Sequence, residues 1–322
     1  MKKSYLMMAA AATMLAACTQ TDLVQEVNTQ QAIGFEAFAG KTTRAEITNE
    51  GDLQKTGVGF KVWGYTGNTT NDVVFNGDNV EWNGSAWSYD DLDTDLKYWD
   101  AQKTYSFYAV APISDKAAWD NTNAKYTITN AVSGKSTLVT DYLTATPKTD
   151  IDGSKGQQVN FEFNHVMSKV SVVLATTAQN VSIHSVEMTG WNSGNGAYNS
   201  SATSTWSIET AGNEAADIYD AGTTSTTIDG ETTTTDNFNA IDNVVTSSYL
   251  IVPQTISGKL KFTLTYKVGN VLFTNNSVEI ENQVWDVNEH TTYTINIGVG
   301  PITFGVSSVN GWKDISETVS VQ

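Results

Sequence analysis

The chain has 322 residues, 40% apolar and 10% aromatic, ample for packed cores and too apolar for a disordered polymer. Its 18 Lys and Arg against 35 Asp and Glu leave a formal net charge of −17, which argues against a nucleic-acid partner, because neutralising phosphates needs a basic face. A single cysteine excludes a disulfide framework and a cysteine-built zinc site, and 24 Gly with only 4 Pro favour strands and turns over helix bundles.

In chain order, residues 1–18 carry Lys2 and Lys3, then an apolar run from Tyr5 to Ala17, then Cys18. That run is too short to span a bilayer stably and has the layout of a secretory signal peptide. Leu15-Ala16-Ala17-Cys18 resembles the lipobox of bacterial lipoproteins, which implies a signal peptide over residues 1–17 and acyl chains, palmitate among them, on Cys18. Two or more such chains anchor a protein stably in a membrane. Residues 19–32 read as a polar tether.

Ile33 to Gly40 forms a short strand candidate in which Ile33, Phe35, Ala37 and Ala39 share one face. A polar stretch, Lys41-Thr42-Thr43-Arg44-Ala45, follows it, and Arg44 is the chain's sole arginine. Exposed polar connections are where proteases cut, so an arginine-specific protease would have one target, the Arg44–Ala45 bond.

From Val58 onward, apolar segments of strand length recur between turn signals: Val58–Tyr65, Val73–Phe75, Tyr105–Ala111, Val159–Phe163, Val166–Leu174 and Val181–Met188. Tyr249–Val252, Leu260–Val268, Val271–Ile280, Tyr293–Ile297 and Ile302–Val306 continue the series. Leu260, Phe262, Leu264, Tyr266 and Val268 alternate with lysines, the signature of a half-buried strand. Turns are expected at Asn76-Gly77, Asn83-Gly84, Asp152-Gly153 and Gly194-Asn195-Gly196, and at Gly269-Asn270 as a hairpin. Short helices are allowed near Asp115–Asp120. The loop-like stretch 146–157 is placed as a domain boundary, and 213–236, with Thr232 to Thr235, as a surface insertion. The expectation is an all-β protein of two tandem antiparallel β-sandwich domains, residues 45–156 and 157–322, after a propeptide over 18–44.

Motifs for catalysis fail on inspection. Gly134-Lys135-Ser136 lacks the glycine a phosphate loop needs at position 129, and Gly57-Val58-Gly59 lacks the third glycine of a dinucleotide fingerprint. Asp91, Asp93 and Asp95 have calcium-loop spacing, but Leu96 and Gln102 replace the glycine and the bidentate glutamate, so a solvated acidic turn is the better reading. His165, His184 and His290 form no short-spaced metal pair. No cofactor, metal site or enzymatic activity is expected. Trp82, Trp87, Tyr89, Tyr98 and Trp99 crowd one stretch. Such rings either fill a sandwich core, which is favoured, or stack on sugars, with Trp82, Trp87 and Trp99 as candidate glycan contacts.

With these residues in view, Thr43-Arg44-Ala45 followed by Phe60-Lys61-Val62-Trp63-Gly64-Tyr65 resembles the fimbrillin family of type V pili. Tyr105 to Pro112, Asp141 to Ala145, Phe161 to Val170, Trp285 with Tyr293 to Ile297, and Gly311-Trp312 extend the resemblance to its minor-fimbrillin-like branch. The resemblance implies transthyretin-like sandwiches and a pilus subunit or accessory fimbrillin serving adhesion or colonisation. It further implies an outer-membrane lipoprotein precursor that reaches the surface fimbrium after an arginine-specific protease removes the N-terminal plug strand. A strand of another fimbrillin subunit then fills the groove. The donor candidates lie in the tail: Ile302, Phe304 and Val306 on one face, Ile315, Val319 and Val321 on another, with Glu317 interrupting the second set. The alternative is a surface lipoprotein that binds glycans or a host or bacterial surface ligand through exposed aromatics.

Overall fold

A computed structural model describes residues 31–39, 50–67, 72–89, 96–201, 205–298 and 302–310. Cys18, Arg44, Ala45, the Asp91–Asp95 turn and the tail residues Ile315, Val319 and Val321 lie outside the described residues.

The chain is built almost wholly of strands, as alternation and turn chemistry require. The first sheet runs in the order Phe35–Ala39, Val159–His165, Leu143–Ala145, Thr104–Ala111, Phe60–Thr66, Val73–Trp82, Trp87–Tyr89, with Lys148–Asp152 also beside Thr104–Ala111. Its first pair is parallel and the rest are antiparallel. A smaller sheet, ordered Trp206–Ile208, Gly196–Asn199, Lys125–Ala131, Ala117–Asp120, contributes Trp119, Tyr126, Ile128, Tyr198 and Trp206 to a core shared with Trp63, Tyr65 and Val110 of the first sheet.

The second sandwich packs a sheet ordered Thr303–Asn310, Glu289–Ile297, Ser168–Thr176, Tyr249–Ile251, Gly134–Lys135 against one ordered Ala216–Asp220, Val181–Thr189, Gln254–Val268, Val271–Trp285. Between them lie Val170, Ile183, Phe262, Leu264, Trp285 and Tyr293, all essentially excluded from solvent. The predicted Gly269-Asn270 hairpin joins Val268 to Val271.

Four expectations change. The strand Val159–His165 lies in the first sheet although a boundary at 156 assigns it to the second domain; Val159, Phe161 and Phe163 alternate onto the same core as Phe35 and Phe60. Residues 115–120 hold a strand, Ala117–Asp120, because Trp119 stacks on Tyr108 at a ring-centroid distance of 3.6 Å. Asn76-Gly77 sits inside the Val73–Trp82 strand as an irregularity in its pairing with Phe60–Thr66, where Gly77 takes φ +83° beside the Trp63 ring. The stretch 213–236 contains one strand of the second sandwich, Ala216–Asp220, and an exposed hairpin of Thr223–Ile228 with Glu231–Asp236.

Candidate functional site: a groove closed by the first strand

The leading strand owes its place to alternation. Ile33, Phe35 and Ala37 point inward and are at most 1% exposed, while Gly34 and Glu36 are only partly buried. Phe35 is the hub of an aromatic cluster, with ring centroids at 5.2 Å from Phe75, 5.8 Å from Tyr89 and Phe161, 5.9 Å from Phe107 and 6.3 Å from Phe60. All of these contacts are edge-to-face except the stack on Phe161, the geometries that aromatic quadrupoles favour.

Backbone bonds grip the segment on both sides. Along one edge, Phe35 to Ala39 pair in parallel with Val159 to Phe163; the Val159 amide donates to the Gly34 carbonyl at 2.9 Å and Gln158 Nε2 to the Phe35 carbonyl at 3.1 Å. Along the other, the Ile33 amide donates to the Lys97 carbonyl at 2.8 Å and the Trp99 amide to the Gln31 carbonyl at 3.0 Å. The Tyr89 hydroxyl donates to the Ile33 carbonyl at 3.0 Å and accepts from the Lys97 amide at 3.2 Å. Burial pushes the Tyr89 hydroxyl above the ordinary tyrosine range, so it stays protonated and able to donate. The first sheet therefore curls until this one strand links its Val159–His165 edge to the segment following Trp87–Tyr89.

Gly64 makes that closure sterically feasible. A Cβ there would meet Phe75 Cδ2 at 2.8 Å and Phe107 Cδ1 at 2.9 Å, the two rings that wall the Phe35 site.

The other candidate residues fall elsewhere. Trp87 and Trp99 are 9% and 5% exposed within the same core, and Trp82 packs its half-buried ring against Trp87 at 5.6 Å. Trp87 and Trp99 thus have their faces spent on protein, whereas Tyr98 of the same cluster is 43% exposed. Ile302 and Val306 are half-buried against the second core, where Thr303–Asn310 pairs antiparallel with Glu289–Ile297 as the outermost strand of its sheet among the described residues. The backbone of Ile302, Phe304 and Val306 thus lies in the second sandwich, within the C-terminal domain where the sequence places it. The histidines are engaged in structural contacts: His165 Nδ1 lies 3.1 Å from Asp141, His184 Nδ1 2.9 Å from the Asn237 carbonyl, and His290 Nε2 2.9 Å from Ser171 Oγ. Among the described residues no three His, Cys, Asp or Glu side chains converge as a metal site, and no helix is long and apolar enough to cross a membrane.

Sequence reading singled out the strand that fills the groove but not its walls, Phe60, Phe75, Phe107 and Phe161. Phe161 carried a usable signal, since Val159, Phe161 and Phe163 alternate with polar residues as Ile33, Phe35 and Ala37 do.

Two β-sandwiches of which the first is sealed by the chain's own leading strand define a class of all-β modular proteins. A family model described as fimbrillin-like matches residues 43–312, and the chain belongs to that family. The fimbrium subunit Fim1C of Phocaeicola vulgatus is 28% identical over 197 residues, covering 52% of this chain; the match spans 50% of that relative's length. A fimbrial protein structure from Bacteroides vulgatus superposes with a TM-score of 0.58 at 15% identity, covering 87% of this chain and 99% of that one. A second solved structure, from Bacteroides uniformis, covers the same shares with a TM-score of 0.54 at 12% identity. These structural likenesses concern the fold.

Proposed function

We propose that this chain is a structural or accessory subunit of a surface fimbrium, exported as a lipoprotein through Cys18 and held as an outer-membrane precursor. An arginine-specific protease cuts after Arg44, the segment 18–44 leaves with the plug strand, and a strand from another fimbrillin subunit refills the groove. The observation that carries this reading is the position of residues 31–39. They complete the first core from a separate N-terminal segment, and the sole arginine follows in a polar connection.

The physics is consistent with proteolysis as the switch. Burying Ile33 and Phe35 contributes about 1.5–3 kcal/mol each, and the tether keeps the strand at high effective concentration, so an incoming strand competes poorly while Arg44–Ala45 is intact. Cutting abolishes the tether. Loss of the strand exposes an apolar core face and unpaired amides and carbonyls, a template for strand addition. Family membership and the likeness to Fim1C support the fimbrial role.

Digestion of the full chain with an arginine-specific protease is expected to yield one product beginning at Ala45, followed by a ladder of oligomers on native gels. Arg44→Gln is expected to block both. Complete cleavage that leaves only monomer would overturn assembly by strand exchange.

A further inference from the structure

The hairpin of Thr223–Ile228 with Glu231–Asp236 is exposed at every strand position, and among the described residues each of its strands pairs only with the other. Asp229 and Gly230, at φ +53° and +83°, make a two-residue turn of the kind that leaves Ile228 and Glu231 as a hydrogen-bonded pair. Pairs then alternate along the ladder, and the Asn237 amide donating to the Gly222 carbonyl at 2.9 Å keeps the same parity. Thr224, Thr226 and Ile228 therefore spend their backbone groups on Glu231–Asp236, while Thr223, Ser225 and Thr227 turn theirs to the outside. The close hydroxyls of Thr227 with Thr232 at 2.9 Å and of Ser225 with Thr234 at 3.3 Å fit this phase, since side chains approach most in the non-hydrogen-bonded pairs. We propose that this free edge is an interaction surface for a second copy of this chain. The two Thr223–Ile228 strands pair antiparallel about a two-fold axis at Ser225 and join the two hairpins into one four-stranded sheet.

Three observations favour this occupant and register. The edge is unguarded: Thr223–Ile228 carries no charge, proline or bulge and consists of β-branched residues and one serine. By contrast Val271–Trp285, the outermost strand of its own sheet among the described residues, carries Glu279, Glu281 and breaks in register, with Asn275 and Asn282 at positive φ. Charge then selects the edge. Glu231–Asp236 bears an acid at each end, and with a chain net charge of −17 a second copy meets least repulsion at the uncharged strand. Finally, the antiparallel register centred on Ser225 is self-complementary. Thr223 meets the second copy's Thr227, Ser225 meets its own counterpart, and each such pair exchanges both backbone bonds. Thr224 and Thr226 face each other beside the axis as a β-branched pair. Strands of 6 residues bury far less than the roughly 1,200 Å² of a stable interface, so one contact is weak, with a Kd on the order of 0.1–1 mM. Copies arrayed along a fimbrium, a step that rests on the reading above, multiply this contact into lateral bundling of filaments.

The test uses the full uncleaved chain with Cys18→Ser and Arg44→Gln, so that strand exchange plays no part. Sedimentation equilibrium in about 0.5 M salt, which screens the acidic surfaces, is expected to show a monomer–dimer equilibrium at concentrations up to about 1 mM. Ser225→Lys sets two like charges against each other at the axis and is expected to weaken the dimer about tenfold or more. Thr234→Lys breaks the same cross-strand hydroxyl pair from the other edge and is expected to leave the dimer unchanged. Under a mild oxidant, Ser225→Cys is expected to form a disulfide dimer about tenfold faster than Thr234→Cys, since directly opposed hydrogen-bonded residues have Cα atoms about 5.5 Å apart, within disulfide reach. A chain that stays monomeric, a dimer that Ser225→Lys leaves intact or that both lysine variants abolish equally, or equal trapping of the two cysteine variants overturns the proposal. Those outcomes leave the fimbrial reading standing, and a cleaved chain that forms no oligomer ladder leaves this dimer standing.

Discussion

Phe35 sits at the centre of the first core, where five aromatic rings surround it. Phe35→Ala is expected to destabilise the uncleaved chain by about 3–5 kcal/mol in a denaturant titration, while half-buried Trp82→Ala costs visibly less. A Phe35→Ala loss no larger than that of Trp82→Ala would mean the groove is not packed as described. The tyrosines supply a second residue-scale prediction. Burial raises Tyr89, Tyr126, Tyr249 and Tyr293 above the ordinary tyrosine value, Tyr249 to about 12. Each hydroxyl donates to a fixed acceptor: the Ile33, Ala145 and Asp217 carbonyls and Gln283 Oε1. A group whose folded pKa lies above its unfolded value stabilises fully below the unfolded pKa and loses that contribution as pH rises through the folded one. The melting temperature is therefore expected to be insensitive to tyrosine ionisation below about pH 10 and to fall progressively from there towards pH 12 and beyond. A flat profile across that interval would count against these buried hydroxyls.

At the scale of elements, the hairpin of Thr223–Ile228 with Glu231–Asp236 stands apart from all three cores, exposed at every strand position. It is held by its ladder, by hydroxyl pairs such as Thr227 with Thr232 at 2.9 Å, and by an Asp229-Gly230 turn with φ +53° and +83°. Replacing residues 223–236 with a short Gly/Ser linker is expected to move the melting temperature by no more than about 2 °C, since no buried apolar area is lost. A larger drop would place hidden packing beneath it. The hairpin was legible in principle: Asp-Gly between Thr-rich runs is a turn signal, but polarity on both faces masks the alternation that normally reveals strands. Conversely, apolar alternation made Ile33–Ala39 legible, and Asn76-Gly77 misled because a local turn preference yields to the longer strand that carries Phe75 and Val80 into the core.

For the molecule as a whole, the two halves of the chain exchange elements. Gly196–Asn199 pairs with Lys125–Ala131, and Gly134–Lys135 pairs with Tyr249–Ile251, so no cut near residue 156 separates self-sufficient domains. Residues 31–156 alone lack Val159–His165, the strand between Phe35–Ala39 and Leu143–Ala145. That fragment is expected to show no cooperative thermal transition by circular dichroism; a sharp transition would refute the interdependence. The sequence by itself determined the all-β class, the inward residues of the first strand and the solitary arginine beyond it, because alternation and composition are local properties. Only the tertiary structure decided that this strand runs parallel to Val159–His165, that five rings enclose Phe35, and that Thr303–Asn310 lodges on the second sandwich. Alternation states which side chains turn away from water; what they meet there depends on pairings between residues more than a hundred positions apart, which no local pattern encodes.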